Sequence, residues 1–466
     1  MRCFSVHKNE IEGRFDPFYY KPEIIKLVKG IKGSKFDSFK FREIIQDISG
    51  GATPKIEGDF YSDSGIPFLR VQNITEEGIN LEDVKFIKNE VHEKMLKRSQ
   101  LHENELIFTI TGRIGSVAVV PKNFEGNINQ HSVRIKLKEY LNNIQILPEY
   151  IALFFNLKIG QILSFRETTG GTRPALDYEA IKSLVIPLPD ALKQRELADL
   201  IKEAYIHKKS KQAKAKQLLN SINDYILDEL GIKVPESKDR MTYAVNFKEM
   251  ENRRLDPFYH RIKFEGTEKA IYQGNFEVKK LKDSFKGKLI KGLLPSGEEK
   301  DGHTKVLQIK NILKNGLIDI SEYVTSKNIF KPEHRIKKEE IIIVITGATI
   351  GKVGLWGFDE EFYLGGDMVK FSVNNRFNAY FIQAFLISQV GQYQLIREIT
   401  GATNKHLAPD NIKTIKIPLP PITIQNRIAK EVKTRTEQAK TLQEEAKEEL
   451  KNAKEKVEKI LLENKL

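Results

Sequence analysis

Polar and basic side chains able to make directed hydrogen bonds recur in short loops at matching places along this chain. Arg70, Gln72 and Asn73 correspond to Gln308, Lys310 and Asn311. Arg113, within Thr111-Gly112-Arg113-Ile114-Gly115, has its counterparts in Thr349 and Lys352, which lie in and just after Thr346-Gly347-Ala348-Thr349-Ile350-Gly351. Gln130 and His131 correspond to Gly366 and Asp367. Thr172 and Arg173, ending Thr168-Thr169-Gly170-Gly171-Thr172-Arg173, correspond to Thr403 and Asn404, with Lys405 and His406 following. Arg, Gln, Asn, Thr and Lys are the side chains that read base edges or hold phosphates. The loops are expected to follow strands. Their Gly, Pro, Ile and Leu framework is kept between the two sets, whereas the polar tips differ. Two domains of one fold that read two different sequences would show that pattern.

Catalytic chemistry has no comparable residue set. Asp16-Pro17-Phe18-Tyr19 and Asp256-Pro257-Phe258-Tyr259 are superficially similar to the Asp-Pro-Pro-Tyr signature of adenine methyltransferases. The second proline is absent, however, and no Gly-rich strand–turn precedes either copy, so a turn followed by aromatic packing is the expected role. The chain contains no Gly-x-x-x-x-Gly-Lys-Ser/Thr phosphate loop, which argues against nucleotide hydrolysis. The Thr-Gly…Ile-Gly runs could cradle a phosphate, but residues 117–120 after the first read as a strand and favour a tight strand–turn–strand. The 9 histidines show no i,i+3 or i,i+4 pairing, so no metal site is expected.

The elements that must position these loops follow from a duplication. Arg14-Phe15-Asp16-Pro17-Phe18-Tyr19 returns as Arg254-Leu255-Asp256-Pro257-Phe258-Tyr259 at an offset of 240. Phe68-Leu69-Arg70-Val71-Gln72-Asn73-Ile74 returns as Val306-Leu307-Gln308-Ile309-Lys310-Asn311-Ile312, and Ile186-Pro187-Leu188-Pro189 as Ile417-Pro418-Leu419-Pro420 at 231. The matches keep their order while the offset falls, so the second copy has lost residues from loops, where deletions are tolerated. A repeat this long indicates two related domains and not a solenoid. Within each copy, Leu106-Ile107-Phe108-Thr109-Ile110 and Ile341-Ile342-Ile343-Val344-Ile345 read as strands ending at Thr-Gly turns. Residues 117–120, 132–137 and 369–373 read as further strands. Residues 147–163 and 379–396 each read as one helix, and the Ile-Pro-Leu-Pro segments as extended exits.

Each copy ends in a run without Pro or Gly, 191–230 and 422–466, rich in helix-favouring Lys, Glu, Gln, Ala and Leu. Ala439, Leu442, Ala446, Leu450, Ala453, Val457 and Ile460 step as a coiled-coil seam. Ile201, Ala204, Ala215, Leu218, Ile222 and Tyr225 form a similar seam, interrupted by Lys208 and Lys211. Gly231 and Pro235 supply a stop. Helices of this length span about 60 Å at 1.5 Å per residue and need a partner for the apolar stripe. The other copy's helix is the natural one. The run Lys208-Lys209…Lys211…Lys214…Lys216 reads as a solvated face or as a contact to phosphate or a partner.

Composition sets the outer bounds. The chain has 466 residues, 40% hydrophobic and 30% charged, enough for about two to four domains with cores of their own and incompatible with wholesale disorder. The single cysteine, Cys3, leaves no intramolecular disulfide framework and points to a reducing, cytoplasmic setting. The start has no apolar signal region, and even residues 341–345, among the longest apolar runs, fall far short of the roughly 20 that a membrane span requires. There are 76 Lys+Arg against 63 Asp+Glu, a net charge of +13, which is compatible with a nucleic-acid partner. Residues 422–466 carry 11 Lys+Arg and 9 Asp+Glu, so nearly all of the excess lies in 1–421.

Taken in order, these features resemble the specificity subunit of type I restriction–modification enzymes over essentially the whole length. The resemblance rests on the Arg-x-Asp-Pro-Phe-Tyr openings, Gly50-Gly51-Ala52-Thr53-Pro54, Ile66-Pro67-Phe68-Leu69 leading to Asn73-Ile74, the Thr-Gly…Ile-Gly turns, the Ile-Pro-Leu-Pro exits and the two long helices. The second copy departs from it at Lys291-Gly292-Leu293-Leu294-Pro295. The resemblance implies a mixed α/β fold: two tandem homologous α/β target recognition domains (1–190 and 232–421) and two long antiparallel helices (191–231 and 422–466) forming a coiled coil. It implies double-stranded DNA as ligand and no catalytic activity or cofactor in this chain. It also implies two modification subunits that methylate adenine with S-adenosylmethionine, and restriction subunits that use ATP and Mg. A non-catalytic scaffold, or a detached recognition subunit of another restriction–modification class, remains the alternative.

Overall fold

The computed structural model describes residues 4–6, 11, 15–54, 60–236, 242–246, 250, 254–293, 302–327, 330–401 and 403–464. Cys3, Arg14, Leu294, Pro295 and Ala402 lie outside the described residues. The chain divides into two compact units, one of Met1–Lys211 with Glu444–Leu466 and one of Gln212–Gln443.

In the first unit a four-stranded antiparallel sheet has the order Ile45–Gly50, Ser132–Leu137, Leu106–Thr109, Val117–Val119. All four residues of Leu106–Thr109 are buried because both faces of the strand are covered. Leu106 and Phe108 point into a core with Ile151, Phe154 and Phe155, while Ile107 joins Leu69, Ile74, Ala118 and Ile128 on the other side. Alternation along one strand therefore feeds two cores. Phe155 packs edge-on or tilted against Phe108 and Phe41, with centroids 5.0 Å apart in both pairs. Each such buried ring contributes about 1.5–3 kcal/mol relative to exposure. A second, mixed sheet places Ile66–Leu69 between Asn127–Ile128 (parallel) and Lys85–Ile87 (antiparallel).

The second unit repeats this plan. Its antiparallel sheet runs Phe285–Lys291, Met368–Val373, Ile341–Val344, Val353–Leu355. Ile341, Ile343 and Ile345 face one core, and Ile342 and Val344 face another containing Trp356, Phe362 and Leu364. The exit strands Val185–Pro187 and Lys416–Pro418 pair antiparallel with Ser38–Lys40 and Val278–Lys280.

Each helix expected over 147–163 and 379–396 is in fact two. Pro148–Asn156 is followed by Lys158–Arg166, and Ala379–Ile387 by Gln389–Arg397. The chain is extended at the junctions Leu157 (ψ 158°) and Ser388 (ψ 162°). Gly160 and Gly391 let the second helix press against the end of the first: a Cβ there would meet the carbonyl oxygens of Phe154 or Phe385 at 2.2 Å. Apolar periodicity alone continued through the break.

The long helices are Ala191–Leu230 and Ile422–Leu461, and Gly231 (φ 66°) ends the first. In the first unit they run antiparallel, with His207 on Glu449 (2.6 Å) and Lys211 on Glu445 (3.0 Å). In the second unit Arg435 donates to the Ser221 carbonyl (3.0 Å) and Arg427 pairs with Glu229. Ala215, Ala439, Ala446 and Val457 on the expected seams are buried. At the interruption, Lys208 bonds Glu77 (2.8 Å) and Lys211 bonds Glu445 and Glu449, so charge pairs replace apolar contact there. The start of each long helix is fixed to its own domain by a buried glutamine. Gln194 bonds the Leu147 amide and the Gln145 and Pro189 carbonyls; Gln425 does the same with Asn378, Arg376 and Pro420. Among the described residues no helix is long and apolar enough to cross a membrane.

Candidate nucleic-acid interface

In the first unit the strand Leu106–Thr109 delivers its loop through a tight turn. The Gly115 amide bonds the Thr109 carbonyl (2.9 Å), and Thr109 Oγ1 accepts from the Ser116 amide (3.0 Å) while donating to the Arg113 carbonyl. Gly112 (φ 70°) and Gly115 (φ 82°) supply the left-handed backbone this requires. Arg113 is left exposed at the tip. Four other loops converge beside it. His131 Nδ1 lies 2.7 Å from Thr111 Oγ1, and Gln130 Nε2 lies 3.2 Å from His131 Nε2. Gln130 also receives the Thr53 hydroxyl. The Leu176 amide bonds the Ile110 carbonyl (3.0 Å), which docks the loop carrying exposed Thr172 and Arg173. A Cβ on Gly112 would sit 3.6 Å from Val71, so the turn bearing Gln72 is the next neighbour.

The second unit assembles the same set. Gly365 bonds Leu307, Ile345 bonds the Asp367 carbonyl, and Leu407 bonds the Ile345 carbonyl. These contacts gather the turns of Gln308–Lys310, Asp367, Thr349–Lys352 and Thr403–Lys405 at one end of the sheet. Thr403, Asn404 and Lys405 are exposed, Thr349 and Lys352 half-buried. Lys310 is exposed and lies 3.8 Å from Glu322. The basic groups are Arg70, Arg113 and Arg173 in one unit and Lys310, Lys352 and Lys405 in the other, so one unit has fork-shaped donors where the other has point charges.

Several assignments made from sequence change. Asn73 and Asn311 are buried and spent on the fold. Asn73 Oδ1 accepts from the Arg70 amide (3.0 Å), and its Nδ2 donates to the Asn80 carbonyl (2.9 Å). Asn311 repeats this with Gln308 (2.8 Å), Asp319 (2.8 Å) and Glu322 (2.7 Å). They close a turn, and these bonds occupy their carboxamides. Arg70 is folded back, donating to the Asp83 carbonyl at 2.7 Å, and Gln308 is half-buried. Loop 168–175 follows the helix Lys158–Arg166 and not a strand. The Asp-Pro-Phe-Tyr segments are turns: Arg166 stacks 3.6 Å from the Tyr19 ring and bonds the Tyr19 carbonyl, and Arg397 treats Tyr259 alike (4.1 Å). The glycine of the divergent turn is kept for closeness of approach, since a Cβ would meet Asn129 O at 2.0 Å from Gly51 and Gly365 O at 1.8 Å from Gly292.

Sequence reading missed the groups that hold the tips. Gln161 Nε2 bonds the Gly115 carbonyl (2.7 Å), and Gln392 Nε2 bonds that of Gly351 (2.9 Å). Behind the sheets, Glu105 pairs with Arg134 (2.7 Å) and Glu340 with Lys370 (2.6 Å), each acid also accepting from a backbone amide three residues earlier. The shared offset of 231 between Gln161 and Gln392 was the available signal.

The duplicated framework with two different sets of tips matches a known family twice. The type I restriction modification DNA specificity domain matches residues 33–220 and again 273–452. The chain belongs to that family. Among its relatives, the putative type I restriction enzyme MjaX specificity subunit of Methanocaldococcus jannaschii is 23% identical over 89% of this chain and 90% of that protein. The type I restriction enzyme EcoBI specificity subunit of Escherichia coli is 23% identical over 36% of this chain and 34% of that one. A chain in a solved structure of a type I R-M system, concerned with complex assembly and conformational transition, superposes with TM-score 0.54 at 13% identity over 91% of this chain and 96% of that chain. The specificity-domain fold therefore occurs twice here, each copy carrying one set of tips. Among the described residues no three His, Cys, Asp or Glu side chains group to hold a metal ion.

Proposed function

We propose that this chain is the sequence-reading subunit of a type I restriction–modification complex. Domains 1–190 and 232–421 each read one half of a bipartite, asymmetric DNA target. The helices of 191–231 and 422–466 set the spacer between the halves and dock two modification subunits. The observation that carries this reading is a shared framework bearing unlike polar tips: Arg113, Gln130, His131 and Arg173 in one copy, Thr349, Lys352, Asn404 and Lys405 in the other. Arg and Gln can bond bases bidentately, and Lys can neutralise phosphate. Two domains of one fold could each meet one half-site, as dimeric repressors meet half-sites about 34–36 Å apart. Adenine methylation with S-adenosylmethionine belongs to the modification subunits, and cleavage with ATP and Mg to restriction subunits.

The test is binding to random duplex DNA by the full chain, alone and with its modification subunit, across a salt series. Binding should weaken with a log–log slope of about −0.9 per phosphate contacted. Absence of binding in both settings would favour the scaffold reading.

A further inference from the structure

Resting on the reading of the two units as DNA-recognition domains, we propose that Gln161 and Gln392 are positioning residues that set the specificity of one half-site each. Each carboxamide uses both N–H groups on two carbonyls that have no helical partner. Gln161 Nε2 donates to Gly115 O (2.7 Å), in the recognition turn, and to Phe155 O (2.8 Å), at the end of the preceding helix. Gln392 Nε2 donates to Gly351 O (2.9 Å) and Leu386 O (2.8 Å). Carbonyls in the last turn of a helix need an outside donor, and only a side chain with two N–H groups on one atom serves both acceptors at once.

The turn is pressed onto the helix that carries the glutamine. A Cβ on Gly115 would meet Ser164 Cβ at 2.9 Å, so no side chain of the turn's own separates the two. That helix is in turn held by a long helix at its first turn: the Ile159 amide bonds Glu458 Oε1 (3.1 Å), and the Gln389 amide bonds Asn223 Oδ1 (2.8 Å). A chain of contacts thus runs, within each unit, from a long helix through a short one to the recognition turn. The two copies share this chain of contacts, with looser packing under Gly351, where a Cβ would sit 3.8 Å from Leu395 Cβ, and the tips it supports differ, Arg113 against Thr349 and Lys352. The glutamine touches no exposed tip itself and acts by fixing the turn. Base discrimination depends on placement within about 0.5 Å, so loss of this tether relaxes specificity without removing a contact group.

The test is methylation mapping in cells expressing the full chain with its modification subunit, as wild type, Q161M, Q392M and Q161K. Methionine keeps the shape and lacks the donors; lysine keeps donors for both carbonyls. Q161M should lose about tenfold or more of base discrimination in one half of the motif and none in the other. Q392M should do the reverse. Q161K should restore discrimination, together with the melting temperature that Q161M loses on leaving two carbonyls without a donor. Full discrimination in Q161M and Q392M, or loss of both halves by either one, overturns the proposal, as does a Q161K that fails to restore discrimination. A wild type that yields no bipartite motif instead removes the underlying DNA-recognition reading.

Discussion

The two units share a skeleton and differ at its edges, and the differences are not evenly spread. Gly51 and Gly292, Asn73 and Asn311, Gln161 and Gln392, and Gln194 and Gln425 do the same work in each. The buried acid–base pair is kept with a change of base, from Arg134 to Lys370. The turn at residues 74–79 differs more. In the first unit it is tied to the long helices, with Tyr205 on Glu76 (2.9 Å), Lys208 on Glu77 (2.8 Å) and Lys454 on Glu76. In the second unit the matching turn leans on the helix Ala379–Ile387, where Gln383 bonds the Gly316 carbonyl (2.8 Å). Some backbone-directed polar residues are thus common to both copies, whereas others differ, as Gln383 stands where the first copy has Ala152, and so do tips and surface ties.

That comparison is broken most severely behind the sheet. Lys370→Met should cost about 3–5 kcal/mol in chemical denaturation, because the Glu340 carboxylate, 7% exposed, is left without its cation. Arg134→Met should cost a similar amount, because the Glu105 carboxylate, 4% exposed, is likewise left without its cation. Clearly unequal costs would show that the change of base alters what the pair contributes. Gly51→Ala and Gly292→Ala should each destabilise by about 1–3 kcal/mol, because the partner atom is backbone and cannot rotate away. Two unequal values would mean that the turns are not equivalent.

Tip substitutions should spare stability. Arg173→Ala and Lys405→Ala should each weaken DNA binding by about 1–3 kcal/mol, Arg173 with specificity lost in one half-site and Lys405 uniformly with a shallower salt slope. The reverse assignment would exchange their roles. The smallest effect concerns the surface tie peculiar to the first unit. Burial raises the Glu77 pKa, but hydrogen bonds and charge from Lys208 and Lys209 outweigh it and hold the carboxyl below its ordinary value. A depressed folded pKa adds stability above the unfolded pKa, and that stability fades as pH falls through the folded value. In a partly exposed group the gain is under about 1 kcal/mol, so Glu77→Gln should flatten the acid limb of the stability curve only slightly.

The duplication, the strands and the long helices were legible because apolar periodicity and Gly-Pro punctuation are written locally. The helix breaks at Leu157 and Ser388 were not, since buried helices are apolar on both sides of the junction. The structural roles of Asn73 and Asn311 were hidden for a related reason. A buried asparagine that closes a turn and an exposed one that reads a base have the same letter, and only the carbonyls around it tell them apart. Gln161 and Gln392 were invisible as single residues and detectable only as a repeated pair.

The central claim is that two unlike domains read two half-sites at a separation held by the helices. It is tested most directly by mapping methylated adenines in cells that express the chain and its modification subunit, with and without one heptad deleted from each long helix. The account predicts a bipartite, asymmetric motif whose two halves persist in the deletion while the gap between them changes. A single contiguous motif, or a gap that stays the same, would contradict it.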